Sequence, residues 1–245
     1  MKADHPLPQN IPGLRALWKE AFGDSDAFLD LFFATAFSPE RCFCIGESAA
    51  LYWFDCSLAG QKLAYIYAVA TAKAMRGQGL CRSLMADTHA HLQERGYAAA
   101  ILVPGSPALR KMYRTMGYQD ATCLLEVTCP AGDAPATMRE VTAEEYGALR
   151  RQLLPAGGVL QEGENLAFAG AMMKLYAGQN WLLAADETLS NAELLGDPGA
   201  APGIVKALGK TAGTFRMPGG RTPFAMTCPL TPNAPNPAYF GLAFD

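Results

Sequence analysis

The stretch Tyr65-Ile66-Tyr67-Ala68-Val69-Ala70-Thr71, followed by Ala72-Lys73-Ala74-Met75 and Arg76-Gly77-Gln78-Gly79-Leu80-Cys81-Arg82, passes from an aromatic run through a glycine turn into a helical pattern. Leu80, Leu84, Met85, Thr88 and Leu92 continue that pattern at helical spacing. A strand, a tight turn and a helix start are predicted. Gly77 and Gly79 let the main chain turn sharply and gather several N–H groups at one helix N-terminus, where the dipole favours an anion. A pyrophosphate fits such a place. A P-loop would need Lys-Ser/Thr after its second glycine, but Leu80-Cys81 follow Gly79; a dinucleotide fingerprint would need glycine where Arg82 stands. Spacing excludes both.

Upstream, Ile11, Leu14, Leu17, Trp18 and Phe22 mark one helix, and Gly23-Asp24-Ser25-Asp26 stops it and caps a second carrying Phe28, Leu29, Phe32 and Phe33. Cys42–Ile45, Ala49–Ser57 and Lys62–Thr71, separated by short polar and glycine turns, read as an antiparallel meander. Downstream, Gly96 closes the third helix, Ala98–Val103 is a strand ended by Pro104-Gly105, a helix runs from Pro107 to Met116, and Tyr118–Val127 is a further strand. Cys129–Thr137, with two prolines and a glycine, reads as a linker.

Beyond it the order repeats. Met138–Val141 reads as a strand, and Thr142-x-x-Glu145 has the spacing of a capping box. A helix is expected through Leu166, Ala169, Met172, Met173 and Tyr176, strands at Trp181–Ala185 and Ala192–Gly196, and a helix at Gly203–Thr211. Strands at Gly213–Met217, Pro223–Leu230 and Ala238–Phe244 complete the half, and Phe215-Arg216-Met217-Pro218-Gly219 echoes Ile101-Leu102-Val103-Pro104-Gly105. Gly196-Asp197-Pro198-Gly199 puts an acid and a proline where amides would converge, so no cofactor is expected there.

The chain has 245 residues, half of them hydrophobic and 18% charged, which places it among compact globular proteins. No apolar run reaches the roughly 18–20 residues of a membrane helix. A net charge of −3 provides no general basic field for nucleic acid. Seven cysteines without a C-x-x-C pair and three scattered histidines form no metal pattern. Buried thiols, surface histidines and a reducing cytoplasmic location are the expectation.

The motif R-x-x-G-x-small at Arg76–Cys81, lying between a tyrosine-rich strand and an amphipathic helix, resembles the acyl-CoA pyrophosphate loop of the GCN5-related N-acetyltransferases (GNAT). That family carries a downstream helix N-x-x-A-x-x-x-Y-x-x-x-G-(F/Y), and Ser106 to Tyr118 matches its tyrosine (Tyr113), its glycine (Gly117) and its final aromatic. Ser106 and Leu109 depart from its asparagine and alanine, and Cys81 replaces the last small residue of the loop. The likeness covers residues 7–128, and a degenerate second half resembles the arrangement of the enhanced-intracellular-survival-type acetyltransferases.

The resemblance implies an α+β fold with a mixed sheet: a GNAT domain at 1–128, a linker at 129–137 and a degenerate GNAT-like domain at 138–245. It also implies acetyl-CoA-dependent N-acetylation of a small amine, an amino acid or a peptide N-terminus. The alternative is a non-catalytic acyl-CoA-binding or protein-interaction module; the second half is expected to wall the acceptor cleft, to form an oligomer contact, or both. By the likeness, Val69, Ala70 and Thr71 pair with the pantetheine arm, and Arg76, Gly77, Gln78, Gly79, Leu80, Cys81 and Arg82, with Ser106 in the asparagine place, hold the cofactor. Tyr113 is the general acid. Asp55 is the base candidate within the strands, and Asp245, or its neighbour Phe244, is the candidate from the chain end. Tyr52, Tyr65 and Tyr67 are expected to line the acceptor cleft.

Overall fold

A computed structural model of the chain describes residues 2–244, which divide into two compact units. The first comprises the residues up to Gln119 together with Met226–Pro235, and the second Asp120–Ala225 together with the segment from Asn236 onward.

The first unit begins with α1 (Ile11–Phe22) and α2 (Asp26–Thr35). Gly23, at φ +80°, ends α1, and the Ser25 hydroxyl caps α2 by accepting the Phe28 N–H. The meander follows as β1 (Cys42–Ile45), β2 (Ala49–Leu58) and β3 (Gln61–Thr71). Then come α3 (Leu80–Glu94), β4 (Tyr97–Leu102), α4 (Pro107–Arg114) and the short β5 (Gln119–Asp120). Alternation along β2 sorts its side chains onto two faces. Leu51 and Trp53 join Leu84, Met85 and Leu92 of α3 in one core, while Tyr52 and Phe54 face Trp18 and Phe32.

The second unit holds β6 (Cys123–Pro130), β7 (Arg139–Glu140), α5 (Ala143–Leu153), β8 (Leu160–Gln161), α6 (Glu164–Met172) and β9 (Lys174–Ala177). It continues with β10 (Trp181–Ala185), β11 (Ala192–Gly196), α7 (Ala201–Ala207) and β12 (Ala212–Pro223), and β13 (Met226–Pro229) returns to the first unit. Thr142 caps α5 through the Glu145 N–H, as its spacing predicts. With the two-residue β8 between α5 and α6 set aside, the succession α5-α6-β9-β10-β11-α7-β12 reproduces α1-α2-β1-β2-β3-α3-β4, and both β3/β4 and β11/β12 are parallel pairs. The second half is thus a repeat of the first in order and topology.

Several expectations are corrected. Tyr118–Val127 is not one strand: Ala121 and Thr122 both donate to the Ala225 carbonyl, the Thr122 hydroxyl accepts the Ala225 N–H, and the chain leaves β5 for β6 in the other sheet. Residues 129–137 are packed rather than spanning: Cys129 and Pro130 finish β6, and the amides of Ala131, Gly132 and Ala136 donate to Thr211, Pro202 and Gly203. The helix through Leu166 ends at Met172, leaving Tyr176 in β9. Pro218-Gly219 lies inside β12, where the register jumps from Met217–Leu125 to Thr222–Leu124. The segment 238–244 forms no strand.

The strand at 226–229 lies beside β4 in the first sheet, whose order is β1-β2-β3-β4-β13-β5, and β6 lies beside β12 in the second, ordered β6-β12-β11-β10-β9-β7. Each half therefore contributes its last strand, β6 or the short β13, to the other half's sheet. The expected boundary at 128 falls inside β6, and that at 138 falls within the second unit.

Candidate active site

The parallel pair β3/β4 is bonded from Lys62–Tyr97 to Tyr65–Ile101 and no further. Past Tyr65, β3 stays paired with β2 as far as Thr71, after a bulge opposite Leu51 in which Ala68 takes φ +47°. A non-glycine residue at positive φ carries local strain, which the flanking ladder holds in place. The two strands thus part toward their C-terminal ends. Val69, Ala70 and Thr71 lie on the parted stretch, where β3 has no neighbour in β4. An exposed strand edge of this kind pairs with an extended, amide-bearing ligand.

The chain leaves that edge with the Ala72 N–H on the Ser48 carbonyl and the Lys73 N–H on Glu20 Oε1 at 2.8 Å. Gly77 and Gly79 adopt φ +78° and +80°. A Cβ at either would meet nothing within 4 Å, so glycine is required here by backbone conformation and not by space. Gly79 is the N-cap of α3 and supplies no side-chain cap; the first bond of the helix is Ser83 N–H to the Gly79 carbonyl, 3.0 Å. The amides of Leu80, Cys81 and Arg82 precede that bond and belong to the uncapped first turn, the arrangement that receives an anion.

The two arginines of the loop have other duties. Arg76 Nε donates to the Thr71 carbonyl at 3.1 Å, folding the guanidinium back over the end of β3. Arg82 donates from both terminal nitrogens to the carbonyl and hydroxyl of Thr115, each at 2.8 Å, closing the C-terminal end of α4 against α3. The Arg82 guanidinium is therefore committed to Thr115. Ser106 is also placed differently from expectation: its hydroxyl accepts the Leu109 N–H at 3.2 Å and caps α4.

Tyr113 is the buried residue of α4, 6% exposed, within the core shared with Leu80, Leu84 and Tyr118. Burial raises its pKa, with the Cys81 thiol adding in the same sense, so the hydroxyl keeps its proton at neutral pH. Cys81 is itself shifted upward by burial and stays a thiol.

Asp55 lies opposite Ala64, one residue before the last β3/β4 pair at Tyr65–Ile101, and its carboxylate accepts the Tyr97 hydroxyl from the first residue of β4. Asp245 lies outside the described residues. Phe244 is buried, edge-on to Phe168 at 5.0 Å, in the core of the second unit. Of the three tyrosines assigned to the cleft, Tyr52 and Tyr65 are buried and Tyr67 is half-buried on the parted stretch. Tyr52 packs against Trp18 and Phe32 with centroids 5.0 and 5.2 Å apart, and its hydroxyl is buried without a hydrogen bond.

The histidines are not ordinary surface residues. His89 Nε2 bonds the Tyr118 hydroxyl at 2.9 Å, and the His91 ring packs on Phe43 and His5. Sequence reasoning missed this, because a lone histidine inside an amphipathic helix carries no signal of which neighbour it meets. The seven cysteines are free thiols, four of them buried. Among the described residues no cluster of histidine, cysteine and carboxylate side chains could hold a metal ion, and no helix is long and apolar enough to cross a membrane.

Residues 8–121 match the family model of the acetyltransferase (GNAT) domain. No curated protein matches the chain in sequence. Among solved structures, the chain is similar to a GCN5-related N-acetyltransferase from Kribbella flavida, at 13% identity and TM-score 0.68 over 92% of this chain and 70% of that one. It is similar to another from Anabaena variabilis, at 17% identity and TM-score 0.64 over 94% and 73%. Eis1 from Mycobacterium abscessus gives 12% identity and TM-score 0.61 over 94% and 74%. At these identities the structures establish a shared fold over more than nine-tenths of the chain, and residues 8–121, just under half of it, match the acetyltransferase (GNAT) domain model.

Proposed function

We propose that the protein uses acetyl-CoA to acetylate the amine of a small molecule, an amino acid or a peptide N-terminus, in the first unit alone. The observation that carries this reading is the continuity of two features: the free edge of β3 at Val69–Thr71 runs directly into the uncapped start of α3. The first suits the amides of a pantetheine arm and the second suits a pyrophosphate, so the residues present fit the donor. Bound there, acetyl-CoA supplies the acyl group as a thioester.

The chain's own contributions are binding, orientation and one proton. The main-chain groups of Val69, Ala70 and Thr71 align the arm, and the amides of Gln78 through Arg82 hold the charged end. Tyr113 keeps a proton on its Oη at neutral pH and is the general acid of this reading, since acyl transfer to an amine requires the departing thiolate to be neutralised. Asp55, whose carboxylate accepts the Tyr97 hydroxyl, is the base candidate within the strands. Tyr67 and the aromatic residues of α1 and α2 line the acceptor side.

Calorimetry with coenzyme A, followed by thiol release from acetyl-CoA with a panel of amines, tests the reading. Binding with turnover that Tyr113→Phe slows by about a hundredfold supports it, the scale at which a single general acid acts. Binding without turnover on any amine favours the non-catalytic acyl-CoA-binding module. No binding at all ends the assignment.

A further inference from the structure

The hydrogen bond between His89 and Tyr118 lies beside Tyr113 but has no part in the reading above. Tyr118 follows Gly117, which takes φ +92° and lets the chain turn back at the end of α4. The Tyr118 N–H returns to the Tyr113 carbonyl at 3.2 Å. Its ring meets the Tyr113 ring with centroids 5.7 Å apart and planes at 62°, an edge-to-face contact. The other end of the ring is fixed: the hydroxyl reaches His89 Nε2 on α3 at 2.9 Å, and the Tyr118 side chain is 1% exposed.

Packing alone would be served by phenylalanine at 118. A phenylalanine there would leave His89 Nε2 buried and unmatched, so histidine and tyrosine are needed together, and what they add is direction. α4 has only eight residues and is too short to hold its own orientation. It is tied to α3 at its C-terminal end by Arg82 and Thr115, and, through Tyr118, by His89 on the same helix. The titratable groups facing Tyr118 are Tyr113, Cys81, Cys228 and His89, none of them charged at neutral pH.

The geometry points to the His89–Tyr118 pair as a positioning device for the Tyr113 hydroxyl: α3 holds the Tyr118 ring, and that ring sets where Tyr113 lies. This inference rests on Tyr113 being the acid. Neither His89 nor Tyr118 touches substrate.

The test uses the full chain labelled with 13Cζ-tyrosine, with Tyr113 assigned by loss of its resonance in Tyr113→Phe. In the protein without acetyl-CoA, Tyr118→Phe and His89→Leu are expected to move the Tyr113 resonance and to lower its pKa toward the ordinary phenolic value. His89→Gln, which retains a hydrogen-bonding group, is expected to restore both. With acetyl-CoA and the amine giving the fastest thiol release, Tyr118→Phe is expected to lower kcat about tenfold with KM for acetyl-CoA within about twofold, and to add nothing in a Tyr113→Phe background.

An unmoved Tyr113 resonance in Tyr118→Phe overturns the positioning role. So do losses in kcat that multiply in the double variant, because they place Tyr118 outside any action through Tyr113. Wild-type turnover by Tyr113→Phe, with the resonance still displaced by Tyr118→Phe, leaves the hold standing and sinks the acid assignment instead.

Discussion

Asp197 Oδ1 accepts the Gly199 N–H at 2.8 Å, so the turn entering α7 is already capped by its own carboxylate. In chain order this turn corresponds to Arg76–Gly79 before α3, where Gly79 leaves the first amides without a side-chain partner. A negative group sits at the position where the first unit would receive one. Past Ala192–Phe215 and Glu193–Arg216, β11 and β12 are no longer paired, and the Glu193 side chain is buried under Arg150, Tyr146 and Tyr239.

One acyl-CoA site per chain is the expected outcome. Calorimetry with coenzyme A is expected to give a stoichiometry of one, and Gly79→Ala to weaken it about tenfold, because a Cβ at φ +80° costs about 1–2 kcal/mol. Two equivalent sites, or a Gly79→Ala protein that binds normally, would contradict this account.

How much of this could be read from the residues depends on whether the deciding forces were local. α1, α2, the meander and α3 fall within a residue or two of their sequence signals, since periodicity, the Ser25 cap and the glycine stops act over a few residues. The glycine turn was legible for the same reason. What was not legible depended on distant partners. Whether Tyr118–Val127 stays in one sheet is decided by Ala225, about a hundred residues away, and the exchange of β6 and β13 leaves no mark in local periodicity. Ser106 looked like a cofactor ligand by alignment of a motif, but its hydroxyl answers a nearer demand from the Leu109 amide.

That cap gives a second prediction. Ser106→Ala removes the acceptor for the Leu109 N–H and is expected to cost about 1 kcal/mol of stability by urea unfolding. Coenzyme A affinity is expected to stay within about twofold, a difference of well under 1 kcal/mol. A tenfold loss of affinity with unchanged stability would return Ser106 to the cofactor site.

Burial holds the His89 imidazole down to about 4 from its ordinary 6.5, so the folded protein keeps it neutral while the unfolded chain binds the proton more readily. The sign is fixed by linkage: the contribution is fully present above pH 6.5, is lost as pH falls toward 4, and changes little below that, where both states are protonated. The ceiling is about 3 kcal/mol. His91, also lowered by burial, acts in the same sense. Urea midpoints at pH 7 and pH 4.5 should fall further for the wild type than for His89→Gln; equal falls would show that His89 is not desolvated in the fold.

Arg150 and Glu193 are each about 1% exposed and joined by two bonds, Nε to Oε2 at 3.0 Å and a terminal nitrogen to Oε1 at 2.9 Å. The remaining capacity is used: Tyr146 and Tyr239 donate to the same carboxylate at 3.1 Å each, and Arg150 also donates to the Val159 carbonyl and to Gln161. Gln161 in turn donates to the Leu242 carbonyl, so one satisfied network fastens the segment 239–242 into the second unit. Such a pair need not surpass a hydrophobic substitute, but breaking it strands a charge in the core at a cost of about 3–5 kcal/mol. Glu193→Gln is therefore expected to lower the urea midpoint strongly, and limited proteolysis should release the segment around Tyr239 first. Arg151→Ala, which breaks the exposed pair with Glu162, should leave both readouts unchanged. Should Glu193→Gln behave like Arg151→Ala, the carboxylate would not be the anchor of that segment, and its hold would have to come from Phe240, Leu242 and Phe244 packing alone.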